Sequence, residues 1–194
     1  MNSIRADIEA QLKESSRVLV EMHKLSETIE KASRLLIDTI KGGGKVLLCG
    51  NGGSAADCQH IAAEIVGRYK LNRPAMAAVA LTTDTSILTA VSNDLSFDDI
   101  FSRQVEALGR PGDSLLAIST SGHSPNVLAA VEKAGEMEMK TLGLTGRNNS
   151  PLADRCDIAI QIPSSDTPRV QEGHIAVGHI LSDLIEKHFY AGHT

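Results

Sequence analysis

From residue 44 onward, short unbroken apolar runs alternate with stretches in which apolar residues recur every three or four positions. The runs at Val46–Cys49, Ala77–Leu81, Leu115–Ile118, Thr141–Leu144 and Ile158–Ile162 predict buried strands. Between them, residues 54–68, 84–92, 98–108 and 125–137 predict helices, and a last helix runs from Pro168 to about Phe189. Strands apolar on both faces and joined by helical crossovers make a five-stranded parallel sheet with helices on both faces, an α/β architecture. The pattern does not give the strand order. Ahead of the sheet, Ile4, Ile8, Leu12, Leu19, Met22, Leu25, Ile29, Ala32, Leu36 and Ile40 form a helical stripe that Gly42-Gly43-Gly44 ends. A break is expected near Lys24, with Ser26 and Glu27 placed to cap a second helix. Such a long stripe either covers the chain's own core or packs against another subunit. No repeat or Pro/Ser linker interrupts the remainder, so the chain divides into an N-terminal helical extension, 1–41, and one domain, 42–194.

Composition removes several classes of function. The chain has 194 residues, 24 acidic against 19 basic, with a net charge of −5 and 42% hydrophobic residues, enough for one domain with a proper core. There is no Lys/Arg cluster, and the aromatics are only Tyr69, Phe97, Phe101, Phe189 and Tyr190, so neither a phosphate-neutralising stripe nor a stacking platform for nucleic acid exists. The longest apolar run, Ala75–Leu81, is too short to span a bilayer. The first residues, with Arg5, Asp7 and Glu9, lack the apolar core of a signal peptide. A soluble, cytoplasmic protein is expected. Cys49, Cys58 and Cys156 are odd in number and have no C-x-x-C spacing, which suits buried thiols in a reducing compartment.

Candidate chemistry sits where predicted strands end, because open α/β sheets bind ligands beyond the carboxyl ends of their strands. Gly50-Asn51-Gly52-Gly53-Ser54-Ala55 satisfies the G-x-G-x-x-A dinucleotide fingerprint. Its usual companion acid is missing, since the nearest candidate, Asp84, lies well past the expected spacing. The plain alternative is a tight strand-to-helix turn with Ser54 as helix cap. The second turn, Ser119-Thr120-Ser121-Gly122-His123-Ser124-Pro125, brings hydroxyls, a permissive glycine and a proline to a helix N-terminus, a setting suited to a phosphate monoester. An ordinary turn capped by Ser124 is the alternative. His60 and Glu64 share a helix face at i, i+4, as a metal-ligand or proton-transfer pair or as a surface pair. On the last helix, Gln171 and His179 lie about 80° apart, whereas His174 and His179 are about 140° apart, so one of these histidines is structural.

Five blocks carry a resemblance: CGNGGSAADCQHIAAEIVGRY (Cys49–Tyr69), LTTDTSILTAVSND (Leu81–Asp94), IFSRQVEALG (Ile100–Gly109), ISTSGHSPNV (Ile118–Val127) and TPRVQEGHIAVGHI (Thr167–Ile180). In this order they closely resemble the phosphoheptose isomerases, sugar isomerase (SIS) domain enzymes that interconvert sedoheptulose 7-phosphate and D-glycero-D-manno-heptose 7-phosphate. The resemblance implies a flavodoxin-like three-layer sandwich. It implies that Ser119, Thr120, Ser121 and Ser124 hold the sugar phosphate, that Asn51, Gly52, Gly53, Asn93 and Asp94 line the sugar, and that Glu64 and Gln171 also contact the substrate. It further implies one zinc ion (Zn2+) per subunit on His60, Glu64, Gln171 and His179, with Glu64 and His179 the catalytic acid/base pair. A homotetramer with active sites at subunit interfaces follows from the same likeness, as does a place in the route to ADP-heptose for lipopolysaccharide. His123 stands where relatives usually carry Asn or Lys, and Gly146-Arg147-Asn148-Asn149-Ser150 lacks their paired glycines. A non-catalytic SIS relative of the type that associates with the replication initiator DnaA is the alternative, and an NAD(P) oxidoreductase is a third reading.

Overall fold

The computed structural model describes residues 3–147 and 149–191, so Asn148 of the Gly146–Ser150 loop lies outside the described residues. Helix α1 (Ile4–Glu21) is capped by the Ser3 hydroxyl and followed by a 3₁₀ turn, Met22–Leu25, at the expected break. Helix α2 (Ser26–Lys41) follows. Ser26 is not its cap: the cap position is Leu25, and the Ser26 hydroxyl donates back to the His23 carbonyl at 2.6 Å, because the 3₁₀ turn has already set the helical direction. Strand β1 (Val46–Gly50), helix α3 (Gly53–Val66), strand β2 (Ala78–Ala80), helix α4 (Thr85–Asp94) and helix α5 (Ser102–Leu108) come next. They lead to β3 (Ser114–Ile118), α6 (Pro125–Glu136), β4 (Lys140–Thr145), α7 (Pro151–Arg155), β5 (Ile158–Gln161) and α8 (Thr167–Tyr190). Helix α7, a single short turn capped by the Ser150 hydroxyl, is too brief to leave a periodic signal.

All five strands are parallel, in the order β2-β1-β3-β4-β5. Alternation along each strand divides the interior in two. Val46, Leu48, Leu116 and Ile118 face a core with α2, α3 and α8; Leu47, Cys49, Leu115 and Ala117 face another with α5 and α6. Helix α2 supplies Ala32 and Leu36 to the first core, whereas α1 buries only Val18. Among the described residues, no helix is long and apolar enough to cross a membrane.

Candidate active site

The reversal of strand order places the site. β1 and β3 are neighbours, with Gly50 opposite Ile118, and the chain leaves them toward opposite edges of the sheet. A crevice opens beyond such a switch point. Both chemically rich turns begin there.

In the first turn, Gly52 takes the left-handed φ of +56° and holds the cap position of α3, accepting at its carbonyl from the amides of Ala55 and Ala56. Ser54 is therefore not the cap; it is buried inside the helix's first turn. A Cβ on Gly53 would lie 2.4 Å from Nε2 of Gln171, so the absence of a side chain lets α8 press that amide onto the glycine turn. Asn51 pairs reciprocally with Asn126, each side-chain amide donating to the other's oxygen at 2.8 and 3.0 Å. Asn126 carries no distinguishing signal in the sequence, being a lone Asn one residue into a helix. Asp84 is engaged as the N-cap of α4, accepting from Ile87 N–H at 2.9 Å, which leaves the dinucleotide reading without its acid.

The second turn is built around Gly122, whose φ is +69° and whose missing Cβ would sit 2.2 Å from Ser150 Oγ. Ser119 Oγ accepts from Gly122 N–H at 3.1 Å and lies 3.0 Å from Ser124 Oγ. Ser121 Oγ accepts from His123 N–H, and the exposed His123 ring turns back so that Nδ1 donates to the Ser121 carbonyl at 2.7 Å. Pro125 occupies the first position of α6, and Ser124, at the cap position, makes no side-chain cap bond. Among the described residues, no protein acceptor takes the amides of Thr120, Ser121 and Ser124. Donors without acceptors at the positive end of a helix form an anion cradle.

The third group joins α3 to α8. A Cβ on Gly178 would meet Ile61 at 2.6 Å, so this glycine lets the two helices approach closely. His179 Nε2 thereby reaches His60 Nε2 at 3.3 Å, and His60 Nε2 lies 3.2 Å from Glu64 Oε1. The Tyr69 ring, not anticipated from the pattern, stands 5.9 Å from that of His179. His174 is elsewhere: it is wholly buried, burial pushes its imidazole down to about 4, and it is the structural member of the pair. Asn93 and Asp94 sit exposed at the end of α4, bonded to each other at 2.7 Å, and this single chain does not bond them to either turn.

The donor set suits a divalent cation. Ligands held about 2.0–2.2 Å from a tetrahedral zinc are separated by roughly 3.3–3.6 Å, and the His60–His179 and His60–Glu64 separations, 3.3 and 3.2 Å, come close to that. Asp57 adds a buried carboxylate oxygen that has no partner among the described residues, close enough to His60 and His179 to feel a charge on either. Among the described residues, no three His, Cys, Asp or Glu side chains converge on one point.

The SIS domain family matches residues 11–146. The phosphoheptose isomerase of Akkermansia muciniphila is 54% identical over 164 residues, 84% of this chain and 87% of that protein. The one from Geobacter sulfurreducens is 53% identical over 185 residues, 95% of this chain and 98% of that protein. Among solved structures, phosphoheptose isomerase GmhA from Neisseria gonorrhoeae superposes with a TM-score of 0.91 at 45% identity, covering 95% of this chain and 100% of that chain. The chain belongs to the SIS domain family and, within it, to the phosphoheptose isomerases.

Proposed function

We infer that this enzyme interconverts sedoheptulose 7-phosphate and D-glycero-D-manno-heptose 7-phosphate, a step that supplies the ADP-heptose of lipopolysaccharide. The observation that carries the reading is the contact of Glu64, His60 and His179 along the seam that starts at the glycine turn. Moving a hydrogen between C1 and C2 through an enediol needs a base over the carbon and a second group to relay a proton between the oxygens. Glu64 takes the carbon-bound proton, and His179 moves a proton between O1 and O2. Ser119, Thr120, Ser121 and Ser124 hold the phosphate at the far end, where binding energy positions the sugar without joining the chemistry. Asn51, Gly52, Gly53 and Gln171 line the sugar beside the glycine turn, with Asn93 and Asp94 completing that wall.

His60, Glu64, Gln171 and His179 would hold one zinc ion per subunit. When bound, zinc supplies a Lewis acid for the carbonyl. A carboxylate engaged with a metal would be a weaker base than a free one, so of the two roles assigned to Glu64 the base role carries more weight.

A homotetramer with shared sites accounts for surfaces that one chain leaves bare. On α1, Ile4, Ile8 and Leu12 are 81%, 53% and 66% exposed, and α4, which carries Asn93 and Asp94, leaves Ile87 38% exposed and buries no residue. Covering them with second copies removes that apolar area from water and gives Asn93 and Asp94 a site to complete. We keep residues 1–41 as the extension that makes these contacts, 42–194 as the SIS domain, and the cytoplasm as the compartment.

Glu64→Gln tests the reading. It preserves shape but cannot accept a proton, so the variant should bind substrate while turnover falls roughly 10²–10⁴-fold and deuterium uptake from D2O into C1 or C2 is lost. Near-normal turnover or exchange would place the base elsewhere, with His179 the first candidate. A wild-type protein that neither exchanges nor isomerises would favour the binding-only alternative.

A further inference from the structure

Two turns beyond His179 on α8, Glu186 is almost completely buried and has both carboxylate oxygens committed to the segment that follows α3. Oε1 accepts from Tyr69 N–H at 2.9 Å, and Oε2 accepts from the amides of Lys70 and Leu71 at 2.7 and 2.8 Å. Arg73 Nε donates to Oε1 at 2.9 Å. The same guanidinium donates from Nη2 to the backbone carbonyl of Glu64 at 2.8 Å and from Nη1 to the Pro74 carbonyl at 3.0 Å. The Arg73 and Glu186 side chains are 1% and 2% exposed.

Stability alone does not account for this arrangement, because a buried ion pair is often no better than well-packed apolar residues of the same volume. Its connections are more informative. Glu64 lies in the last turn of α3, where carbonyls have no intrahelical partner. Gly67, at the end of that helix, has a φ of −78° and is not in the left-handed conformation of a glycine cap. Its amide takes the Ala63 carbonyl, and the Glu64 carbonyl goes to Arg73 instead. His179 and Glu186 are seven residues apart, about 700° of helical rotation and so roughly 20° short of two full turns, and they share one face of α8. One buried pair thus ties together the backbone of Glu64, the tyrosine beside the His179 ring and the face of α8 that carries His179.

We propose that Arg73 and Glu186 are positioning residues for the isomerisation: they hold the Glu64 backbone and the Tyr69 ring in register with His179. The proposal rests on the roles given above to Glu64 and His179. It follows from how steeply a displaced catalytic group loses rate, about 10²-fold for a 1 Å error.

Arg73→Lys is the discriminating substitution. It keeps the positive charge beside Glu186, but an ammonium cannot reproduce the planar fork that reaches Glu186 and the Glu64 carbonyl together. With sedoheptulose 7-phosphate well below the melting midpoint of each protein, kcat should fall roughly 10- to 100-fold while KM moves less than about 3-fold, because the phosphate cradle lies on β3 and α6. Glu186→Gln should show the same split. Ile185→Val, a core substitution next to Glu186, provides the structural control: it should lower the melting midpoint and leave kcat unchanged. The proposal is overturned if Arg73→Lys and Glu186→Gln keep wild-type kcat, if kcat falls no more than in an equally destabilised control, or if neither variant folds, which would make the pair a folding element. Absence of turnover in the wild type would instead overturn the functional reading on which the proposal rests.

Discussion

Acid should destabilise this protein through His174, by an amount that can be worked out. The imidazole is fully buried on α8, and among the described residues neither ring nitrogen has a hydrogen-bond partner. Burial pushes it from 6.5 down to about 4, and a contact with the Thr145 backbone, short of hydrogen-bond geometry, offsets only part of that. The folded value lies below the unfolded one, so between pH 6.5 and 4 the unfolded chain binds more protons. Stability is full above pH 6.5 and is lost as pH falls toward 4. At pH 5 the unfolded imidazole is about 97% protonated and the buried one about 9%, a difference that integrates to a loss of about 2 kcal/mol between pH 7.5 and pH 5. His174→Phe keeps a ring of similar shape and removes the titration. Urea unfolding of both proteins at one fixed protein concentration, at pH 7.5 and pH 5, isolates the effect from that of every other group. The stability difference between wild type and variant should shift by about 2 kcal/mol in favour of the variant at pH 5. Parallel losses in the two proteins would show that His174 is hydrated or partnered in solution and that the reasoning from burial is wrong.

Ser121→Ala combined with Ser124→Ala should mainly raise KM, since it removes contacts made equally in ground and transition states; a collapsed kcat at unchanged KM would displace the phosphate from this loop. Zinc content measured after dialysis should fall in His60→Ala and His179→Ala and remain in His174→Phe, and equal content in all three would refute the proposed ligands. Light scattering at micromolar concentration should give four times the chain mass, with Ile8→Asp on α1 shifting the mass downward; a monomeric wild type would leave the bare faces of α1 and α4 unexplained.

The sheet, its helices and both chemically rich turns were legible because their signals are local. An unbroken apolar run marks a strand buried on both sides, and a 3.6-residue period marks a helix packed on one side. The elements expected at Val46–Cys49 and 125–137 appear as β1, Val46–Gly50, and α6, Pro125–Glu136. Where local rules went wrong, a neighbouring group had already taken the role: Gly52 holds the cap position expected of Ser54, and a 3₁₀ turn sets the start of α2 in place of Ser26. The resemblance had named His60, Glu64, Gln171 and His179, but only the folded chain shows that His60 meets His179, 119 residues away, through the gap left at Gly178.

The order β2-β1-β3-β4-β5, the Asn51–Asn126 pair and the hold of Glu186 on residues 69–71 belong to the tertiary structure alone. Periodicity reports which side of an element is buried, not what covers it. Contacts between distant segments depend on how the helices pack, and a Gly at 53 or 178 looks like any other until the side chain that fills its missing Cβ is known.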